Sequence, residues 1–381
     1  MLKKCEDNYF TTFSSPVVML DYHEQLERES KWHRCKVNTL QVEPLNESSP
    51  LYGNLSAFAS GISQDAVEDN TAKNLGLAMR VDGECYPLRM TAYKSLLDRA
   101  KIGGTALPKL GRDVLAETLN ACLHLYSAEA LLLIRDEKIA AVHSGDPSDY
   151  SVLPINELLS TLTRKLDERF PGAVFESGYT DHSCSSATWT LPGQKDDLLG
   201  AYAKVLKEQG KSAMAAKLMP GIRFMTSDTG VASAKVSALL TGLQYPIHIG
   251  GCIAVDHRHQ KKVNDFENAL DQLFAQFGDS VAKLEKLLDI ELEYPVNAMT
   301  RICKKLSLPK KAAVEAIAMF EMSYGGGSAT AHDVFMALQE IPFILKSQNT
   351  PESKMLVIEE NMARALTLKW SDYDLAKAVS Y

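Results

Sequence analysis

Residues Met219 to Lys262 read MPGIRFMTSDTGVASAKVSALLTGLQYPIHIGGCIAVDHRHQKK, and the alternation inside this stretch decides the fold class. Across Gly221 to Thr226, Ile222 and Phe224 fall on one side of a strand while Arg223 and Met225 fall on the other, the period of a strand with a basic outer face. Asp228-Thr229-Gly230 supplies a turn, and the run Ile247 to Val255 supplies the last strand, with Gly250-Gly251 read as a bend or bulge. The stretch also gathers charge. Between Ala203 and Lys262 nine basic residues (Lys204, Lys207, Lys211, Lys217, Arg223, Lys235, Arg258, Lys261, Lys262) stand against three acidic ones (Glu208, Asp228, Asp256), a local net of +6 in a chain of net charge −7.

Outward from this centre, Val263 to Leu288 reads as one long helix, with Phe266, Leu270, Leu273, Phe277, Val281, Leu284 and Leu288 at helical spacing. Upstream, Thr91 is placed to cap a helix bearing Tyr93, Leu96, Leu97 and Ala100, stopped by Gly103-Gly104. A second helix is expected from Leu110 to Tyr126, a hairpin from Ala130 to His143 about Asp136-Glu137, and a third helix from Ile155 to Phe170. Strands over Ala173–Thr180 and Ser186–Leu191 and a helix over Lys195–Glu208 complete the middle. These elements predict an α+β protein with an antiparallel sheet in the middle of the chain, covered by the long helix.

The last hundred residues read as helical. Pro309 starts a helix with Val314, Ile317 and Phe320 facing inward, Gly325-Gly326-Gly327 ends it, and Thr330 with Asp333 forms a capping box for Ala331–Gln339. A final helix is expected over Glu352–Leu368. The beginning is read as a helix over Asp21–Cys35, a polar loop-rich run LNESSPLYGNLSAFASGISQDAVEDN, and Trp32 as an anchor. The implied organisation is an N-terminal arm (1–89), an α+β core (90–290) and a helical C-terminal subdomain (291–381).

At 381 residues, 45% hydrophobic and 23% charged, the composition is that of an ordinary globular protein able to bury a large core. The longest apolar runs are too short to cross a bilayer and MLKKCEDNYF lacks an apolar signal segment, so the expectation is a soluble, cytoplasmic chain without a membrane partner. Seven scattered cysteines without a C-x-x-C pair argue against both a disulfide framework and a structural zinc site.

His257-x-His259 is a spacing used by metal sites, since a strand places both rings on one face, but no third ligand is tied to the pair by spacing. The competing reading of Arg258, His259, Lys261 and Lys262 is a set of cations at the start of a helix, either solvated or holding an anion there. Gly325-Gly326-Gly327-Ser328 reads as a helix end rather than a phosphate loop, because no Lys-Ser/Thr follows. Ser144 beside His143 and Cys184 beside His182 lack the elbow that nucleophilic catalysis needs. A second basic cluster, Arg301, Lys304, Lys305, Lys310 and Lys311, adds to the first if both face one groove. Tyr245, Phe224 and Trp189 are the aromatics available for base stacking.

The segments LLLIRDEKIAAVHSGDPSDY, MTSDTGVASAKVSALL and VDHRH together resemble the phage- and plasmid-borne domain-of-unknown-function family 932 over residues 90–381. The matching positions are Arg135, Ser144 with Tyr150, Ser227-Asp228-Thr229-Gly230, and Arg258-His259. Thr226 and Ile249-Gly250-Gly251-Cys252 depart from the family pattern. The resemblance implies a mobile-element origin. At fold level the strands-then-helix core is also similar to the single-strand annealing recombinases of phages.

The leading expectation is a non-enzymatic, oligomeric protein that binds or anneals single-stranded nucleic acid without a cofactor, through Arg223, Lys235, Tyr245, Arg258, His259, Lys261, Lys262, Lys304 and Lys305. The alternatives are a metal- or phosphate-dependent hydrolase built on His257 and His259, and an interaction protein that inhibits a host factor.

Overall fold

The computed structural model describes residues 4–45, 63–243, 245–324 and 327–381. The chain opens with strand β1 (Phe10–Phe13), helix α1 (Pro16–Glu29) and strand β2 (Lys31–Lys36). Strand β3 (Gln41–Pro44) and helix α2 (Gln64–Lys73) follow, then the hairpin β4 (Leu77–Val81) and β5 (Glu84–Pro87). Helices α3 (Met90–Ala100) and α4 (Arg112–Leu123) lead to the hairpin β6 (Glu129–Arg135) and β7 (Lys138–Ser144), closed by Asp136 and Glu137 at positive φ. Strands β2, β6 and β7 form one three-stranded sheet and β3, β4 and β5 another. α3 and α4 pack on these sheets around a core that includes Leu40, Leu77, Leu96, Leu119 and Leu132.

This corrects the reading of the N-terminal segment as a loop-rich arm. The helix expected over Asp21–Cys35 lies at Pro16–Glu29, where Pro16 presets the first turn, and Lys31–Lys36 pairs antiparallel with the buried strand β6. An apolar central strand needs backbone partners on both sides, and β2 supplies one of them. In the polar run, Ser63 caps α2 through a bond from the Ala66 amide (3.3 Å), which makes QDAVEDN helical. The rest of that run, 46–62, lies outside the described residues.

The middle of the chain comprises α5 (Ile155–Arg169), β8 (Val174–Asp181), β9 (Ser185–Thr190), α6 (Lys195–Glu208), α7 (Ser212–Lys217), β10 (Met219–Thr226), β11 (Ala234–Thr241) and β12 (Ile247–Val255). With β1 they make a six-stranded antiparallel sheet in the order β1-β8-β9-β10-β11-β12, as the α+β reading predicted. Gly242 turns β11 into β12 at φ +85°, with its missing Cβ only 1.9 Å from the Lys217 carbonyl oxygen, so no other residue fits. One face of the sheet, including Ile222, Phe224, Val236 and Ala238, joins the main core.

The helical cover over that face is two helices, α8 (Val263–Leu270) and α9 (Leu273–Lys286), rather than the single helix expected to Leu288. α8 packs against α5 and α9 against α6, so a straight rod could not serve both neighbours. Asp271 at the break accepts from Lys165 (3.0 Å) and Arg169 (3.1 Å) of α5.

The chain ends with β13 (Glu291–Leu292), α10 (Pro295–Lys305), α11 (Lys310–Tyr324), β14 (Ala329–Thr330), α12 (Ala331–Leu338), α13 (Glu340–Ser347) and α14 (Glu352–Ala363). The capping box forms: Thr330 Oγ1 accepts from the Asp333 amide (3.2 Å) and Asp333 accepts from the Thr330 amide (3.0 Å). Val314, expected inward, is exposed, because α11 packs through its small side chains Ala312, Ala313 and Ala316. Gly325 and Gly326 of the expected glycine stop lie outside the described residues. One apolar core runs from Phe13 to Trp370, so the C-terminal helices pack into it with the sheet.

The other face of the sheet was expected to be half-buried with its basic side outward. It is covered instead: α14 lies over it, with Leu356 against Met225 and Cys184, so both Arg223 and Met225 are buried. Among the described residues no helix is long and apolar enough to cross a membrane.

Candidate functional site

Segments far apart in sequence meet alongside β7. Arg135, the last residue of β6, pairs with Asp228 in the β10–β11 turn (Nη1 to Oδ2, 2.6 Å), and both side chains are nearly inaccessible to solvent. Arg135 Nε also donates to Ser30 Oγ (2.8 Å). The Asp228 backbone carbonyl accepts twice, from His143 Nε2 (2.7 Å) and from the Tyr150 hydroxyl (3.0 Å). The turn itself is fixed by Ser227, whose hydroxyl donates to the Ser183 carbonyl (2.6 Å) and accepts from the Thr229 and Val231 amides.

The two rings that bond Asp228 stack face to face, their centroids 3.5 Å apart and planes 4° from parallel. His257 extends the stack beyond Tyr150, with centroids 5.6 Å apart and a 10° angle. Burial pushes His143 down to about 4 and lowers His257, while burial raises the Tyr150 phenol well above 10. All three rings are therefore neutral at pH 7. His257 bonds the Ser151 carbonyl through Nδ1 (3.2 Å), so Nδ1 carries the proton and Nε2 is left to accept from Thr226 Oγ1 (3.4 Å).

Backbone bonds tie the segment after β12 to the loop after β7. The Ser151 amide donates to the His257 carbonyl (2.9 Å), the His259 amide to Ser148 (2.9 Å) and the Gln260 amide to Pro147 (3.0 Å). His259 and Gln260 take left-handed conformations, φ +58° and +57°, to make this crossing. The pairing holds Arg258 at the mouth of an open, mostly polar cleft of about 410 Å³.

That cleft runs between α3 and the two loops. Its walls include Lys94, Asp98 and Arg99 of α3, Ser144, Asp149 and Tyr150, the turn Thr229–Ser233, and Asp256 to Arg258. A shallower extension adds Lys101 beside Arg99, Asp149 and Arg258. Among the described residues Lys94, Arg99, Lys101 and Arg258 have no salt-bridge partner, and Arg99 Nε is shielded from water without a hydrogen bond. Lys261 and Lys262 stand exposed just beyond Arg258, Lys261 paired with Asp265 (3.3 Å). Asp265 caps α8 through the Lys262 amide (2.8 Å), which places a negative charge at a helix start where the neighbouring cations oppose the dipole.

The residues expected to share one basic face divide. Arg258, His259, Lys261 and Lys262 lie at or beside the cleft, and Arg258 lines it. Arg223 lies under α14, paired with Glu359, and Lys235 is paired with Glu360. Tyr245 packs on Phe343 (5.2 Å) with Lys346 above its ring. Lys304 donates to the Ser380 carbonyl (2.7 Å) and holds the C-terminal residues, and neither it nor Lys305 lines the cleft. Phe224 and Trp189 are core residues. The metal reading fares no better: both nitrogens of His257 are engaged, His259 is exposed, and no group of three or more His, Cys, Asp and Glu side chains that could hold a metal occurs among the described residues. The sequence reading missed Lys94, Arg99 and Lys101, whose helix is distant in sequence from every other cleft residue.

Of the positions matched to the family pattern, Ser144, Tyr150, Thr229, Gly230 and Arg258 line this cleft, Arg135, Ser227 and Asp228 are tied to it by hydrogen bonds, and His259 lies outside its lining. No protein-family model, curated protein or solved structure matches the chain.

Proposed function

We propose that this chain is a non-enzymatic protein that binds single-stranded nucleic acid along the cleft, as a member of the mobile-element family it resembles. The observation that carries the reading is the convergence of Lys94, Arg99, Lys101 and Arg258, none of them in a salt bridge among the described residues, around an open polar groove that Asp98, Asp149 and Asp256 also line. Cations around an open groove suit the phosphates of a nucleic-acid backbone, and a single strand can bend to follow them. On the floor of the cleft the Tyr150 hydroxyl and both nitrogens of His257 are engaged in hydrogen bonds, as is His143 Nε2.

Fluorescence anisotropy with a labelled single-stranded oligonucleotide tests this. If about four phosphates are neutralised, the salt slope is about −3 and affinity falls roughly 50-fold between 50 and 200 mM salt. Reversing Arg99 and Arg258 to Glu is expected to weaken binding more than 10-fold and make the slope shallower by about 2. Arg223→Met, by contrast, is expected to lower stability while leaving affinity unchanged. No binding at 50 mM salt, or unchanged affinity in the double variant, overturns the reading; retained affinity for an acidic protein surface alone would point to the host-factor alternative.

A further inference from the structure

We propose that the buried cluster formed by Arg89, the Met90 amide and Lys138 is an oxyanion-binding site whose resident ligand is the chain's own Asp7. The Met90 amide at the N-terminus of α3 donates to Asp7 Oδ2 (2.9 Å), and Lys138 Nζ donates to Asp7 Oδ1 (3.0 Å) and Asn70 Oδ1 (2.6 Å). Arg89 Nη1 stands 3.6 Å from the same carboxylate and donates to the Glu6 carbonyl (3.4 Å). Lys138 is 0% and Arg89 1% exposed, so these cations meet their counter-charge inside the protein or not at all.

A helix N-terminus draws an anion by its unpaired amides and its dipole, and here two buried cations converge on the same point. The donors exceed what one carboxylate satisfies. Arg89 Nε and Nη2 are shielded from water and make no hydrogen bond, and Nη2 faces Asp136 only at 4.0 Å. A phosphate brings more acceptor oxygens than a carboxylate and would engage these idle donors. With Asp7 removed, Lys138 keeps its bond to Asn70 and Arg89 keeps Asp136 at 4.0 Å, so both buried cations lose their shared carboxylate. The site's ligand class is thus a phosphate or carboxylate oxyanion, admitted when Asp7 gives up its place. The assignment does not depend on what the cleft binds.

The test is thermal melting of full-length Asp7→Ala in sodium phosphate, sodium acetate and sodium chloride of matched ionic strength. The melting temperature of the variant is expected to rise saturably, by about 5 °C in phosphate and less in acetate, over the chloride control, while the wild type does not move. The double variant Asp7→Ala/Lys138→Met, which lacks the buried ammonium, is expected to lose the response. If Asp7→Ala folds only in phosphate, that recovery supports the site. An equal response in chloride, a phosphate response retained by the double variant, an equal shift in the wild type, or failure of Asp7→Ala to fold in any of the three salts overturns it.

Discussion

Acidification from pH 7 to pH 5 is expected to unfold the protein cooperatively. His23, His143, His248 and His332 are all buried, and burial is the first cause that lowers each of them, to about 3, 4, 3 and 4. Arg135 adds to the effect at His23, Arg223 and Lys235 at His248, and Lys211 at His332. Each ring takes up its proton near pH 6.5 in the unfolded chain but only near 3 to 4 in the folded one. Below 6.5 the unfolded state therefore binds more protons, and stability falls as pH falls, until the folded values are reached. One such group costs about 1.4 kcal/mol per pH unit, so four together cost on the order of 5 kcal/mol per unit. Against a typical total of about 5–15 kcal/mol, this is enough to lose the fold near pH 5.

Urea denaturation at pH 7.0, 6.0 and 5.5, followed by circular dichroism, measures the slope. Replacing His248 by Asn is expected to flatten it by about one proton. A free energy of unfolding that stays constant over this range would show that the rings are hydrated or charged in the folded state.

Removing the carboxylate of Asp228 is expected to be the most damaging single change near the cleft. Asp228→Ala leaves Arg135 buried without its 2.6 Å partner, and breaking a buried pair in this way costs about 3–5 kcal/mol. The backbone carbonyl of the same residue anchors His143 and Tyr150, so a turn that drifts also releases the ring stack. Arg135→Met/Asp228→Ala removes both charges together and should recover a good part of the loss. A double-mutant cycle by chemical denaturation gives the coupling. Should Asp228→Ala cost under about 1 kcal/mol, the pair would be a hydrated contact with no hold on the site.

Local pattern made much of this architecture legible. The alternation in Gly221–Thr226, the helical spacing in Ile155–Phe170 and the turn at Asp136-Glu137 each lie within one element, where side-chain period and backbone preference agree. The Thr330–Asp333 capping box is equally local, since its bonds span three residues. Failures came where a distant neighbour chose between local options. Lys31–Lys36 became a strand because β6 lacked a partner, and the helix after Val263 broke because α5 and α6 offered different surfaces.

The candidate site divides along the same line. Sequence by itself determined the α+β class, the β10–β11 turn and the basic character of Arg258 to Lys262, because these depend on neighbours along the chain. Only the tertiary structure decided which charges are free. Arg223 and Lys235 alternate with apolar residues in the way of an outward-facing cation, yet Glu359 and Glu360, more than a hundred residues later, lie over them and neutralise them. Lys94, Arg99 and Lys101 look like an ordinary solvated helix face until folding sets them opposite Arg258. A charge acts through its distance to other charges and its access to water, and for residues far apart in the chain both quantities come into being only when the chain folds.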